Sequence, residues 1–310
     1  MKKSTIKDVA RVSNFSIATV SRVLNGKGNV SPEIAKKVLD VAEQLQYVPN
    51  QLAKGLKDQK TNLVGMVVPD MQDPYFLQVI QRLEQKLQPL NIHLILAETF
   101  YNEKKEREVL QQLEAKRVDS ILIASAGGNE KGIAELVVKG IQVVLFHTKI
   151  KVNDIKIPQI SEDEEANSSK LTTMLLDEGH QLIGVINGSK TSPNAIEKYV
   201  GYVKAMYTGG EVLDSAYTFE GSYSIESGRK AVKRFLSLPK RPTAILSLHP
   251  YFTIGAIAEL NKQKIRIPRD VTIASLGGDP SFALLEDKGL LVHYYSVEMD
   301  VEEILFHLNE

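Results

Sequence analysis

The 310-residue chain contains no cysteine, which excludes a disulfide framework, a thiolate metal site and a cysteine nucleophile. It also lacks a long hydrophobic run. The apolar stretches at 63–69 and 143–146 fall well short of the ~20 residues a membrane-spanning helix needs, and nothing after Met1 reads as a signal peptide. The expectation is a cytoplasmic protein with no membrane partner. No repeat of 20–50 residues and no low-complexity segment is visible. Catalytic signatures are missing as well. There is no GxxxxGK[ST] or GxSxG stretch, and Gly26-Lys27-Gly28 precedes a helix signal without following a strand. The histidines His93, His147, His180, His249, His293 and His307 show no HExxH or other ligand spacing. These absences call for no catalytic residue, metal or cofactor, and an enzyme is the weaker class.

Net charge is zero, from 38 basic and 38 acidic side chains, but the charge is unevenly placed. The first sixty residues hold eleven Lys and Arg against five acids, a balance of +6 that leaves −6 for the rest. A small basic module on an acidic body is the footprint of a polyanion binder with a separate regulatory part.

Within that basic segment the apolar spacing predicts three short helices. Ile6, Val9 and Ala10 mark the first. Asn14 tolerates the left-handed turn that follows, and Phe15 plugs the corner. Ser16 is the expected N-cap of a second helix over 17–24, with Val20, Val23 and Leu24 inward and Ile17, Ala18, Ser21 and Arg22 on the free face. Small residues let such a face approach closely, and arginine pairs with guanine in bidentate fashion. Ser31 as cap, Pro32 in the first position and Glu33 in the first turn open a third helix running to Leu45.

From residue 62 onward, strand-length apolar runs at 63–68, 92–97, 120–124, 143–146, 182–187, 244–247 and 271–274 alternate with helical patterns. The helical stretches lie at 75–88, 103–116, 164–178, 194–207, 224–236, 252–261 and 297–308. That alternation predicts parallel sheets. The fold class is therefore an all-α helix-turn-helix headpiece followed by an α/β core of two doubly wound lobes, with a ligand expected beyond the strand carboxyl ends.

Thr5-Ile6-Lys7-Asp8-Val9-Ala10, Ala18-Thr19-Val20-Ser21-Arg22-Val23-Leu24-Asn25 and Tyr47-Val48-Pro49-Asn50 together resemble the headpiece of the lac-repressor family of bacterial transcriptional regulators. The resemblance continues through Asp73-Pro74-Tyr75-Phe76, Glu178-Gly179-His180, Gly201-Tyr202, Glu226-Ser227-Gly228 and Arg241-Pro242-Thr243-Ala244-Ile245. It implies a core of the periplasmic-binding-protein type and a repressor that binds pseudo-palindromic operator DNA as a homodimer. It further implies base reading by Ile17, Ala18 and Arg22, and phosphate contacts from Thr5, Ser16, Thr19, Ser21 and Asn25. Segment 50–57 resembles the family's hinge helix, with Asn50, Ala53 and Leu56 at the minor groove and Leu56 as the wedge. Gly55 weakens that helix in isolation, which favours folding on DNA.

The implied domains are a headpiece 1–49, a hinge and linker 50–61, and a core 62–310. Within the core, lobe one takes 62–161 plus 291–310 and lobe two takes 162–290. A small-molecule effector of unstated identity is expected in the cleft, near Asp70, Asp73, Tyr75, Phe76, His147, Lys198, His249 and Asp279. Here the chain departs from the family. His147-Thr148 and His249-Pro250 stand where Asp-Arg and Asn-Asp pairs are usual, and Lys198 stands for an arginine. Paired arginine and carboxylate anchors hold several hydroxyls at once, so their loss argues against a sugar effector. An effector-independent DNA binder is the alternative. The family's catabolite-control members use a phosphorylated carrier protein as corepressor, but no arginine lies between Pro280 and Gly289 to hold a phosphate. The family pattern also implies a further strand beyond Glu310, and the absence of a trailing apolar heptad favours a dimer over a tetramer.

Overall fold

The computed structural model describes residues 4–24, 30–47, 60–287, 289–294 and 297–308. It divides into two compact units, 1–61 and 62–310.

In the first unit, α1 (Ile6–Ser13), α2 (Ile17–Leu24) and α3 (Pro32–Gln44) enclose a small core of Val9, Ala10, Val20, Val38 and Ala42. Asn14 closes α1 in the left-handed conformation, φ 61°. Phe15 packs from the side, with the Lys37 ammonium 5.7 Å from its ring centre. Pro32 occupies the first turn of α3 as expected, but the Ser31 hydroxyl makes no capping bond.

The second unit carries two parallel five-stranded sheets. Sheet one has the order β2-β1-β3-β4-β5, formed by β1 (Leu63–Val68), β2 (His93–Glu98), β3 (Ser120–Ile123), β4 (Gln142–Phe146) and β5 (Gln159–Ile160). Strand alternation splits its side chains between two layers. Val64, Met66, Val68, Leu122, Val144 and Phe146 face α4 (Pro74–Leu87) and α12 (Val297–Leu308). On the other face, Val67, Ile121, Ile123, Val143 and Leu145 meet α5 (Glu103–Ala115) and α6 (Glu130–Val138).

Sheet two has the order β10-β9-β8-β6-β7, from β6 (Ile183–Asn187), β7 (Thr218–Glu220), β8 (Ala244–Ser247), β9 (Thr272–Leu276) and β10 (Leu290–His293). One layer is formed by α7 (Glu164–Asp177) and α8 (Pro193–Thr208), the other by α9 (Ile225–Leu236) and α10 (Pro250–Lys262). Helix pairs on each face approach closely because glycines sit at the crossings. A Cβ on Gly201 of α8 would lie 2.1 Å from the Glu165 carbonyl oxygen, and one on Gly228 of α9 2.2 Å from that of Phe252. A short helix α11 (Ala283–Glu286) precedes β10.

The chain crosses between lobes at 161–163 and again after His293. The second crossing corrects the expected boundary at 291, because Leu291, Val292 and His293 pair with Ala274, Ser275 and Leu276 in sheet two. Among the described residues, no helix is long and apolar enough to cross a membrane.

Candidate functional site

In the headpiece, the polar face of α2 is open. Val20 is fully buried, whereas Ile17 is 46% exposed and Ala18 and Arg22 are exposed beside it. The helix start is capped by Ser16, whose Oγ accepts the Thr19 N–H at 3.0 Å and lies 2.9 Å from Thr19 Oγ1. Thr5 donates both its N–H and its hydroxyl to Asp8 Oδ2, at 3.0 and 2.7 Å. Any other acceptor for the Thr5 hydroxyl must displace the Asp8 carboxylate from it. Ser21 is half-buried on α2. Asn25 and the hinge positions Asn50, Ala53 and Leu56 lie outside the described residues.

In the core, Asp73, His147 and His249 beyond the strand carboxyl ends, with Tyr75 of α4 and Lys198 of α8, line one cavity of about 20 Å³ together with Pro250, Gly277 and Gly278. That volume holds roughly one water. The space is filled by side chains from both lobes. Asp73 caps α4 by accepting the Tyr75 N–H at 2.9 Å, and its Oδ2 lies 3.2 Å from His249 Nε2 across the cleft. His249 caps α10 through Nδ1, which accepts the Tyr251 N–H at 3.2 Å. The ring proton is thereby placed on Nε2, toward Asp73. Burial alone would raise the Asp73 carboxyl, but the His249 hydrogen bond and electrostatic pull, with the Tyr75 N–H, hold it below its ordinary value.

His147 follows β4 with φ 61°. Its ring lies 4.5 Å from that of Tyr75 and 5.1 Å from that of Phe76. Burial, then the Lys198 charge, lowers its pKa from 6.5 to about 3. Lys198 Nζ is 3.6 Å from Glu164 Oε1 and donates to the Leu248 carbonyl at 3.4 Å, with both charged side chains buried. Tyr75 donates its hydroxyl to Asp300 Oδ2 at 2.6 Å. Burial, then the Asp300 charge, pushes the Tyr75 phenol well above its ordinary value.

Three of the expected cleft residues do not line the cavity. Phe76 is buried behind the cleft, edge-on to Phe146, as core. Asp279 spends its carboxylate on the turn before α11, accepting the Ser281 N–H at 2.8 Å, and lies outside the cavity lining. Asp70 also lies outside the cavity lining; its carboxylate accepts the Gln72 N–H at 2.7 Å, and its charge adds to burial in raising the phenol of Tyr251 in the other lobe.

The structure adds residues that sequence reasoning missed. The Tyr101 ring of lobe one lies tilted against the Tyr223 ring of lobe two with ring centres 4.5 Å apart, and Asn194 Nδ2 donates to the His147 carbonyl at 2.7 Å. Glu162, within the first lobe crossing, and His293, just before the second, meet at 3.2 Å. Phe100 and Tyr101 both hold positive φ, 55° and 54°, which for non-glycine residues costs on the order of 1–3 kcal/mol each. No sequence signal marks that strain. A larger concavity of about 500 Å³ between α5 and α6 lies outside the cleft and mixes both signs of charge.

Comparison with known proteins agrees with this arrangement. The family described as "Periplasmic binding proteins and sugar binding domain of LacI family" matches residues 61–292, and "Bacterial regulatory proteins, lacI family" matches residues 5–50. Catabolite control protein A of Priestia megaterium is 33% identical over 270 residues, 87% of this chain and 81% of that protein. The HTH-type transcriptional repressor PurR of Pasteurella multocida is 31% identical over 272 residues, 87% of this chain and 80% of that protein. The fold is that of the lac repressor dimer solved with operator and the anti-inducer ONPF, with a TM-score of 0.84 at 19% identity over 99% of this chain and 94% of that one. The chain thus belongs to the lacI family of bacterial regulatory proteins and is a DNA-binding transcriptional regulator with a helix-turn-helix headpiece and a periplasmic-binding-type core.

Proposed function

We propose that the protein is a cytoplasmic homodimeric repressor that places its two α2 helices in successive major grooves of a pseudo-palindromic operator. The observation that carries this reading is the open face of α2, where Ile17, Ala18 and Arg22 are exposed while Val20 is fully buried. Arg22 is the base reader with the strongest donor geometry, and Ile17 and Ala18 give apolar contact. Thr5, Ser16, Thr19, Ser21 and Asn25 contact phosphates and set the register. Paired hinge segments place Asn50, Ala53 and Leu56 at the central minor groove, where Leu56 parts a base step and bends the duplex. A small molecule between the lobes acts on operator affinity through their relative orientation. It meets Asp73, His147, Lys198 and His249, with Asp70 and Tyr75 beside them, and the missing arginine anchors disfavour a sugar. No catalytic step is assigned to any of these residues.

Selection of bound duplexes from a random library tests the reading. A palindromic winner preferred over a scrambled duplex by ~10³ or more at physiological salt is the expected result. Binding that is weak and blind to sequence overturns it.

A further inference from the structure

Polar groups that face one another across a ligand-gated cleft ordinarily wait for the ligand, because closing on nothing leaves them dehydrated and unpaired. In this core they are paired already, with each other. Asp73 of lobe one meets His249 of lobe two at 3.2 Å, and both side chains are buried. Asn194 of lobe two bonds the His147 carbonyl of lobe one at 2.7 Å. The Tyr101 ring of lobe one meets the Tyr223 ring of lobe two with centres 4.5 Å apart, and Tyr223 in turn lies 4.7 Å from the His249 ring. The space left is about 20 Å³.

The pairing is also built into the backbone of both lobes. Asp73 is the N-cap of α4 and His249 the N-cap of α10, so each side chain is held by the first turn of its own helix while its second polar atom points across the cleft. Capping fixes the rotamer, and a fixed rotamer lowers the entropy cost of meeting a partner.

We propose that the core closes on itself, with the His249 imidazole serving as an internal ligand for Asp73, so that the closed lobe orientation is the ground state with no effector bound. The proposal rests on the cleft being the effector site. An effector then acts by parting the pair. It must donate to Asp73 and accept from His249 Nε2, which points to a small molecule with adjacent donor and acceptor groups, such as a primary amide. A purely anionic or purely apolar molecule cannot replace both partners.

The cysteine-free chain makes the test direct. Lys104→Cys and Glu226→Cys introduce labels at exposed sites three residues beyond Tyr101 and Tyr223, one on each lobe. Spin-label distances are then measured on the full chain after native mass spectrometry has verified that it carries no small molecule. A single short, narrow distance is expected. His249→Asn keeps a helix cap but is too short to reach Asp73, and Asp73→Ser keeps a cap while removing the carboxylate. Each should shift the distribution to longer, broader distances, and the double variant should shift it no further than the singles. A broad distribution in the unliganded parent protein overturns the proposal, as does a short distance confined to molecules carrying a co-purified compound, or single variants that keep the parent distance. Should a variant fail to fold, as judged by circular dichroism, the parent distribution decides alone. Operator affinity, measured on the same samples, tests the repressor reading separately: sequence-blind binding with the short distance intact would sink the repressor and leave the self-closing core standing.

Discussion

The side-chain amide of Asn194 donates to the backbone carbonyl of His147 at 2.7 Å, joining the first turn of α8 in one lobe to the end of β4 in the other. The bond depends on the His147 backbone. Its N–H is held by the Ile160 carbonyl of neighbouring β5 at 2.7 Å, and a φ of 61° swings its own carbonyl out of the sheet toward lobe two. The same turn lays the imidazole against Tyr75, where Lys198, Asp73, His249 and Glu162 act on it electrostatically.

That environment makes the core acid-sensitive. The His147 pKa falls from 6.5 to about 3, through burial first and the Lys198 charge second, while Asp73 and Glu162 pull the other way. The unfolded imidazole binds a proton as the pH passes below 6.5; the folded one does not until about 3. Stability from this group is therefore complete above pH 6.5 and drains as the pH falls from 6.5 toward 3, by up to ~1.4 kcal/mol per pH unit. Asp73, held below its ordinary value, works in the same direction when it is protonated at low pH. Thermal midpoints from pH 7.5 down to 5 should fall, and less so in His147→Asn, since asparagine accepts the left-handed conformation. Equal slopes in both proteins would clear His147.

Arg22→Ala should relax base preference at one symmetric pair of operator positions, costing about 1–3 kcal/mol against the selected base per half-site. A repeated site selection reads this. An unchanged preference removes Arg22 as a reader.

Leu56→Ala should weaken specific binding and reduce DNA bending while leaving binding to random duplex near its parent value, because wedge insertion contributes only on the operator. Fluorescence anisotropy and a bend-sensitive gel assay separate the two. Equal loss on random DNA would argue for a linker role.

Gly228→Ala should destabilise the core even though alanine favours a helix. The added methyl lands 2.2 Å from the Phe252 carbonyl oxygen, a backbone atom of α10 that cannot move alone. Overpacking of this kind costs about 1–3 kcal/mol, and a core of this size loses roughly 2–4 °C of midpoint per kcal/mol. A raised midpoint would show that α9 and α10 stand further apart.

Much of the core was legible because its strands are buried on both faces and read as continuous apolar runs. β1, at Leu63–Val68, falls on the expected segment, and β3, β4, β6 and β8 fall within one residue of theirs. The elements that escaped notice are those held by partners more than by pattern. β5 is two residues paired to β4, β7 and β10 are sheet edges, and α6 carries Gly132, a poor helix residue whose cost is offset by Ile133 and Leu136 packing on sheet one. The candidate site divides in the same way. Asp73, His147, Lys198 and His249 could be placed near the cleft from their positions at strand and helix ends. Tyr101, Tyr223 and Asn194 could not, since nothing local announces that residues so far apart in sequence will touch.

By itself the sequence determined the headpiece, its capped second helix and the family, because these rest on contacts a few residues apart, where spacing dictates which side chains share a face. Only the tertiary structure decided what fills the cleft. Two separately ordered parallel sheets bring the N-caps of α4 and α10 together, and that meeting turns an expected ligand site into an Asp73–His249 pair.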